Sequence, residues 1–192
     1  MPDAIVLFRE FLRAPASVAT VTASSDALVA EMLRPLPEVD EPVVVELGAG
    51  TGRLTDAVQR RLGGRGHHLA VELNPVLAAR LAERRPGVDV VCADAATLPD
   101  LLAGRGIGEA HLVASLLPWK AYRTAPIARS VAGVLAPGGV FTQAVLSALR
   151  WLPPARRLDR EVRADFPDVR LGPTVWRNLP PARVRVARGT GG

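Results

Sequence analysis

The 192-residue sequence predicts an α/β fold with a mostly parallel sheet and helices on both faces. Three observations predict it. The β-branched run from Val43 to Val45 indicates a buried strand, and alternate glycines ending at Gly52 follow at once. The segment from Leu54 to Leu62 then has the apolar period of a helix. A strand, a glycine turn and a helix in this order are typical of the first unit of a nucleotide-binding sheet.

The spacing of the glycine turn narrows the choice of ligand. A dinucleotide turn would have its third glycine at position 53, which is Arg53, and a phosphate loop would contain a lysine that is absent here. The sequence instead reads Glu-x-Gly-x-Gly-x-Gly, with Glu46 two residues before Gly48. An acid facing the ligand suits a cationic amino group and disfavours a pyrophosphate.

Length and composition indicate a single domain over residues 1–192, with 48% hydrophobic residues. We divide it into an N-terminal helical cap (1–40), a cofactor-binding core (41–150) and a basic C-terminal part (151–192) that completes the sheet. The sequence has no run of 18 apolar residues and nothing that resembles a signal peptide. The expected location is therefore the cytoplasm.

Cysteine and charge exclude some functions and leave others open. Cys92 is the single cysteine, which excludes a disulfide framework and a cysteine metal cluster, and its apolar neighbours predict a buried strand position. Residues 150–192 contain 10 arginines and 4 acids, whereas residues 1–149 contain 14 basic and 15 acidic residues. A basic tail can contact phosphate on lipid headgroups or on RNA. Because Lys120 is the only lysine, general arginine usage explains the same excess.

Two helices are predicted before the sheet. Residues 4–13 place Ile5, Phe8, Phe11 and Leu12 on one face, so this helix could cover the pocket, lie in a membrane interface or simply pack on the domain. Ser25 is expected to cap a second helix near 26–34.

The second strand is predicted near 68–72 and ends in Glu72, 20 residues after Gly52. Nucleotide-binding folds place there the acid that accepts hydrogen bonds from ribose hydroxyls; the alternative is a solvated acid at a strand end. Asn74 followed by Pro75 predicts a helix start, and that helix should run to about Arg84.

The third and fourth strands carry further candidates. The strand from Val88 to Cys92 leads to Asp94, which could accept a hydrogen bond from an adenine amino group, cap a helix near 95–103, or do both. The fourth strand, near 110–115, leads into Ser115-Leu116-Leu117-Pro118-Trp119, beside the expected reacting centre. Trp119 and Tyr122 offer aromatic faces that attract an ammonium or sulfonium group, although packing alone also explains them.

The remaining elements complete the prediction. A helix near 123–135, a strand from Val140 to Leu146 and a helix near 155–165 are followed by two last strands, Thr174 to Trp176 and Ala182 to Val186. The histidines, His67, His68 and His111, open strands and are interpreted as structural, so we assign no general base and expect no metal site.

Taken together, the motifs resemble one family. They are Phe11-Leu12-Arg13 with Thr22-Ala23-Ser24-Ser25, Glu46 to Gly52, Val71 to Pro75, Ala93-Asp94-Ala95, Ser115 to Trp119, Leu135 to Gly139 and Trp176 to Ala182. The set is similar to the bacterial phospholipid N-methyltransferases and, more distantly, to the ribosomal RNA adenine dimethyltransferases. This resemblance implies a Rossmann-like class I methyltransferase with a seven-stranded sheet and an antiparallel last strand.

The resemblance also implies S-adenosylmethionine as cofactor, S-adenosylhomocysteine as product and no metal. Cofactor contacts are expected from three strand ends and from the loop after the fourth strand: Glu46, Leu47, Gly48, Ala49, Gly50, Gly52, Glu72, Leu73, Asn74, Asp94, Ala95, Ser115 and Leu116. Ser115 is the candidate for orienting the acceptor. Leu117, Trp119 and Tyr122 are expected to bind the substrate.

Two departures bear on the acceptor. The lipid family usually has a glycine at the position of Leu116. The larger leucine side chain would narrow or reshape the acceptor site. The RNA enzymes have Asn or Asp at the Ser115 position and an added helical domain, so nucleic acid is not expected as a partner. We therefore expect N-methylation of an amine such as a phosphatidylethanolamine-type lipid, with peripheral contact at the inner membrane face. A small-molecule methyltransferase of specialised metabolism is the alternative, ahead of an RNA-modifying or non-catalytic cofactor-binding protein.

Overall fold

The computed structural model describes residues 24–189, so the helix predicted over residues 4–13 lies outside the described residues. One sheet has the strand order β3-β2-β1-β4-β5-β7-β6. Strands β1 to β5 are parallel, whereas β7 is antiparallel to both β5 and β6. The seven strands are β1 (Val43–Leu47), β2 (His67–Glu72), β3 (Asp89–Cys92), β4 (Ala110–Ser115), β5 (Leu135–Leu146), β6 (Asp168–Leu171) and β7 (Ala182–Arg188).

Seven α-helices cover the sheet within the described range. Helices α1 and α2 pack on one face with α3 beside them, and α4 to α7 pack on the other, because side chains alternate between the two faces along each strand. The predicted fold class is confirmed. The helices are α1 (Asp26–Leu33), α2 (Arg53–Leu62), α3 (Pro75–Arg84), α4 (Leu98–Ala103), α5 (Trp119–Thr124), α6 (Ile127–Ala132) and α7 (Pro153–Asp165).

The central strands of the sheet are buried on both faces, as their apolar sequences predict. Val44 and Val45 of β1 point to opposite faces and are both fully buried. A parallel strand covered on both sides is a continuous apolar run with no polar alternation. The helix starts predicted at Ser25 and Asn74 are also confirmed: Ser25 Oγ accepts from the Leu28 amide at 3.2 Å, and Asn74 Oδ1 accepts from the Val76 amide at 2.9 Å.

Three predicted elements differ from the structure. The single helix expected over 123–135 is wrong: the chain forms α5 and α6 instead, separated at Pro126, which has no amide hydrogen to continue a helix. Strand β5 begins at Leu135, five residues before the predicted start at Val140, because a bulge opposite Ala110 and Leu112 accommodates Gly138 and Gly139 within the strand. The penultimate strand is β6; Val175 forms only an isolated bridge with Ala182.

The expectation that Cys92 is buried is also wrong. Strand β3 is the edge of the sheet and Cys92 is its last residue, so its side chain is exposed. An apolar neighbourhood in sequence does not distinguish an edge strand from a central one. Between residues 24 and 189, no helix has the length and apolar character needed to cross a membrane.

Candidate functional site

A cavity of about 790 Å³ opens at the carboxyl ends of the parallel strands. Its walls include the loop after β1 and the loop after β4, and these two strands are neighbours in the sheet. The connections reverse direction across the sheet at this point, which is where doubly wound folds form their ligand crevice. The volume suits a nucleoside-sized ligand together with part of a second one.

The glycine turn after β1 gives the cavity a wall of bare backbone. Gly50 has φ +55°, and a Cβ built there would meet no heavy atom closer than the Gly48 carbonyl oxygen at 4.0 Å, so a side chain would enter open space. Gly48 has φ +80°, and its Cβ would lie 2.9 Å from Leu117 Cδ2 in the loop after β4. The two loops therefore approach each other closely, with glycine on the side that a ligand would face.

The third glycine of the motif has a different role. Gly52 has φ +81°, and a Cβ there would lie 2.5 Å from Leu81 Cδ1 and against the Arg84 guanidinium, both on α3. Gly52 does not border the cavity. The absence of a side chain at Gly52 permits the turn to approach α3, and Gly52 is therefore placed behind the cavity wall.

Glu46 faces away from the cavity, contrary to the interpretation that its carboxylate faces the ligand. Its side chain is fully buried, and its Oε2 accepts from Thr55 Oγ1 of α2 at 2.7 Å and lies 3.4 Å from His68 Nε2. The physical reason is strand alternation: Glu46 shares the α2 face with Val44, whereas Leu47 faces the opposite side. Leu47 is buried too, and neither residue lines the cavity.

Glu72 lies where the sequence predicts the ribose-binding acid. Its Oε2 accepts from the Gly50 amide at 2.7 Å and its Oε1 from the Asn74 amide at 2.9 Å. Each oxygen retains capacity for another hydrogen bond. Next to it, Leu73 borders the cavity and is 67% exposed, which is unusual for a leucine in a folded domain.

Asp94 and Ala95 border the same side of the cavity, after β3. Asp94 Oδ1 accepts from the Ala96 amide at 2.9 Å and so caps the short 3-10 turn Ala95–Thr97 that leads into α4. The capping role is confirmed. The second carboxylate oxygen of Asp94 is not used by this cap and can accept from a ligand.

The loop after β4 supplies Leu116, Leu117 and Trp119 to the cavity wall. Ser115 and Tyr122 do not line it, because both are buried behind this loop. Ser115 Oγ accepts from the Tyr122 hydroxyl at 2.6 Å and from the Leu117 amide at 3.2 Å. The pair therefore fixes the loop that borders the cavity. Burial raises the pKa of Tyr122 to about 12, against the opposing effect of its hydrogen bond to Ser115.

Two buried polar residues that the sequence analysis did not identify lie beside β5 and β7, at the end of the cavity opposite Glu72 and Asp94. Gln143 and Arg185 border the cavity there, 2% and 4% exposed. The Arg185 guanidinium donates to Gln143 Oε1 and, at 3.0 Å, to Asp159 Oδ1 of α7. Burial lowers the pKa of Arg185, and the neighbouring Asp159 partly offsets this effect. No sequence signal identifies this group, since only the register of β5 against β7 brings Gln143 opposite Arg185.

The charged residues that border the cavity are distributed unevenly between its two ends. We call the part near Glu72 and Asp94 the β2 side, and the part near Gln143, Leu146 and Arg185 the β5 side. Glu72 and Asp94 are the acidic lining residues within the described part of the chain. Among the basic lining residues, Lys120, Arg150 and Arg185 lie on segments that follow β4 and β5 or belong to β7, whereas Arg53 begins α2 and its Nη2 lies 3.1 Å from Asp26 Oδ1.

The rim of the β5 side is apolar, aromatic and basic. Leu149, Arg150 and Leu179 border the cavity, and the Ser147 amide donates to the Pro181 carbonyl oxygen at 2.9 Å, which joins these two segments. Large apolar side chains on the same segments are exposed. The Cζ atom of Arg150 lies over the Trp151 ring, 3.8 Å from the ring centroid. We call this surface the aromatic rim: Arg150, Trp151, Leu152, Trp176 and Leu179.

The histidines are structural, as interpreted from the sequence. His67 and His68 are at the amino end of β2, and His111 Nδ1 accepts from the Val43 amide at 3.0 Å near the amino end of β4. None of the three borders the cavity. Residues 24–189 contain no group of His, Cys, Asp and Glu side chains arranged to hold a metal ion.

Comparison with known proteins agrees with this geometry. Residues 44–139 match a family described as a methyltransferase domain. The chain is 33% identical to an ornithine lipid N-methyltransferase of Singulisphaera acidiphila, with 98% of this chain and 97% of that protein covered.

Among solved structures, a precorrin-6y C5,15-methyltransferase from Geobacter metallireducens has a TM-score of 0.64 at 16% identity, covering 88% of this chain and 94% of that one. An Aeropyrum pernix fibrillarin with natively bound S-adenosyl-L-methionine has a TM-score of 0.60 at 16% identity, covering 88% and 76%. At these identities the structures share only the fold.

Proposed function

This chain belongs to the class I S-adenosylmethionine-dependent methyltransferases, and on that premise we propose that it methylates the amino nitrogen of an amine lipid. One observation carries the acceptor assignment: the cavity runs from the glycine turn to the aromatic rim, so a ligand at the strand ends and a lipid headgroup entering at the rim would share one space. The near full-length similarity to an ornithine lipid N-methyltransferase supports the same choice.

The residues of the β2 side fit the cofactor. Open space beside Gly50 leaves room for a ligand against the backbone, and Glu72 has acceptor capacity left for ribose hydroxyls. Asp94 and the backbone of Ala95 would meet an adenine edge, with Leu73 against the ring and Asn74 beside the sugar. Bound S-adenosylmethionine supplies an electrophilic methyl group on its sulfonium sulfur. We assign Glu46, Leu47 and Gly52 a supporting role behind the turn.

On the acceptor side, the protein acts mainly through position and electrostatics. Leu117 and Trp119 would enclose the acceptor and exclude water, and the Trp119 ring would attract its ammonium form before the proton is lost. Ser115 and Tyr122 act as positioning residues, since their hydrogen bond holds the loop that carries both contacts. We assign no general base.

We further propose that the protein associates peripherally with an anionic membrane through the aromatic rim. Exposed tryptophans beside arginines are suited to the headgroup region, where the indole ring is half in apolar surroundings and the guanidinium meets phosphate. Trp176 is 79% exposed and Trp151 61%, an unusual pair for a chain with 4% aromatic residues. The excess of arginine beyond residue 149 adds attraction to anionic lipids.

A small-molecule methyltransferase is the second candidate, favoured by Leu116. This side chain borders the cavity where related lipid enzymes are expected to carry glycine, and it leaves less room near the acceptor. A small amine would fit such a site without contacting the aromatic rim.

The decisive experiment offers labelled S-adenosylmethionine with three sets of acceptors: amine lipids in mixed micelles, soluble amines and RNA. We expect label in the lipid fraction, on nitrogen by mass spectrometry. Label confined to soluble amines would support the second candidate, and label in RNA would contradict both. Calorimetric titration with S-adenosylmethionine and S-adenosylhomocysteine tests the cofactor site independently of the acceptor.

A further inference from the structure

We propose that Arg185 and Gln143 form an anion subsite, which binds a carboxylate or a phosphate carried by the acceptor next to its amine. This inference rests on the proposed function and names the acceptor more closely as a zwitterionic amine lipid. The chemistry shared by the two sources is an oxyanion that a guanidinium can hold through paired hydrogen bonds.

The subsite is built by strand register. Ser115 of β4 is opposite Gln143 of β5, which is opposite Arg185 of β7, so the three side chains form one polar row across the sheet. The row ends in an arginine whose side chain is 5% exposed and still borders the cavity. Placement in a rigid sheet would hold the guanidinium in one position, which favours recognition of a fixed group.

The Arg185 guanidinium has unused donor capacity. Its Nη1 donates to Gln143 Oε1 and its Nη2 to Asp159 Oδ1, but its buried Nε has no hydrogen-bond partner among the described residues. An arginine carries five N–H donors, and a buried donor without a partner costs free energy. A ligand oxyanion would satisfy part of this requirement.

Charge leads to the same conclusion. Asp159 is shared between Arg185 and Arg163, whose Nε donates to Asp159 Oδ2 at 2.9 Å, so two guanidinium groups face one carboxylate. Arg185 is the buried member of this cluster, whereas the Arg163 side chain is 52% exposed, so the shared carboxylate only partly neutralises the buried guanidinium. Lys120 and Arg150 add positive charge to the lining, and the acidic lining residues Glu72 and Asp94 both belong to the β2 side.

This arrangement selects against a simple amine. An acceptor with only an ammonium group would approach basic groups without a counter-charge, which is unfavourable. An acceptor with a neighbouring anion would be attracted by that anion. The same basic residues would then lower the pKa of its ammonium and so raise the fraction of unprotonated nitrogen. The competing explanation is that Arg185 only ties α7 to the sheet through Asp159.

The test compares acceptors on the purified full chain in mixed micelles. They are an N-acylated diamino acid with a free carboxylate, its methyl ester, phosphatidylethanolamine and a long-chain alkylamine. Arg185→Gln removes the guanidinium, and Arg183→Gln is the matched control, since Arg183 lies on the same strand, bonds Thr174 Oγ1 at 2.9 Å and does not border the cavity. Calorimetric affinity for S-adenosylmethionine is measured for each variant.

We expect the wild-type chain to prefer the free acid over its ester by about 10- to 100-fold in kcat/KM, as a charge-assisted hydrogen bond would give. Arg185→Gln should reduce this ratio to near one without changing cofactor affinity, and Arg183→Gln should keep the wild-type ratio. Preference for the free acid assigns the subsite to carboxylate; preference for phosphatidylethanolamine over the alkylamine assigns it to phosphate.

The wild-type chain alone can overturn the proposal. It would do so if the acid and its ester reacted at equal rates and phosphatidylethanolamine and the alkylamine did too. This result does not depend on whether Arg185→Gln folds. An equal loss on all four acceptors in Arg185→Gln would show a purely structural arginine. If the wild-type chain methylated none of these amines, the proposed function itself would fail.

Discussion

Glu72 and Gly50, 22 residues apart in sequence, are joined by a 2.7 Å hydrogen bond from the Gly50 amide to Glu72 Oε2. The bond links the end of β2 to the tip of the glycine turn after β1. The second oxygen of the same carboxylate holds the Asn74 amide at 2.9 Å. One side chain therefore holds two loops that border the cavity, and its substitution should disturb both.

Gly50→Arg should abolish measurable binding of S-adenosylmethionine, a loss of more than about 100-fold in affinity, because a side chain at Gly50 enters the cavity. Gly63→Arg is the matched control: Gly63 has φ +60°, similar to the +55° of Gly50, and its Cβ would meet no atom within 4 Å. Both variants carry a similar backbone strain of about 1 kcal/mol. Calorimetric titration should separate them, and intact binding in Gly50→Arg would refute the site assignment.

Glu72→Ala should weaken S-adenosylmethionine binding by about 10- to 100-fold, since it removes an acceptor for the ligand and also releases the Gly50 and Asn74 amides. Glu83→Ala, an exposed acid on α3, serves as control. Equilibrium dialysis of both variants checks the expectation. An unchanged dissociation constant in Glu72→Ala would mean that the ribose is held elsewhere.

Tyr122, the single tyrosine of the chain, should titrate near pH 12 in the folded protein and near pH 10 when unfolded. Absorbance at 295 nm against pH, with and without denaturant, measures both values directly. Folding favours the neutral phenol of Tyr122. Below pH 10 this phenol is protonated in both the folded and the unfolded chain, so its raised pKa does not change the free energy of unfolding there. As pH rises from 10 to 12 the unfolded chain loses its proton first, and folding stability should fall by about 3 kcal/mol.

Tyr122→Phe provides the control for this titration. It should remove the pH-dependent loss between pH 10 and 12, at the cost of about 1 kcal/mol at neutral pH for the lost hydrogen bond to Ser115. Denaturant unfolding at pH 8 and pH 11 gives both numbers. A folded-state midpoint near 10 would show that Tyr122 is accessible to solvent.

Trp176→Ala and Trp151→Ala should each weaken binding to anionic vesicles by about 10-fold, equivalent to roughly 1.5 kcal/mol of apolar contact. Val76→Ala is the control, since Val76 is 56% exposed but belongs to α3 on the β2 side of the cavity. Co-sedimentation at low salt measures binding. Vesicle binding that is unaffected by either tryptophan would exclude the aromatic rim as the membrane contact and leave soluble acceptors in favour.

Much of the fold could be predicted from the sequence because its signals are local. The apolar run before Leu47, the glycine turn and the Asn74-Pro75 pair each specify their own conformation, and the structure confirms them. The errors arose where neighbours in space decide. Cys92 has the sequence context of a buried residue but ends an edge strand, and Val175 has that of a strand residue but forms one bridge only.

The candidate site divides in the same way. Gly50, Glu72 and Asp94 could be located because the end of a parallel strand is recognisable in sequence and its position at the sheet edge then follows. Glu46 could not, because a one-residue alternation decides which face receives its carboxylate. Tyr122 could not either, since an aromatic residue near a loop is equally compatible with a cavity wall and with the core beneath it.

The sequence by itself determined the fold class and the residues that border the β2 side of the cavity. Both depend on short motifs at the ends of individual strands, and each motif specifies its own local conformation. Only the tertiary structure determined the β5 side. Gln143, Asp159 and Arg185 come from two strands and a helix spread over 43 residues, and they meet through antiparallel register and helix packing, which no local pattern encodes.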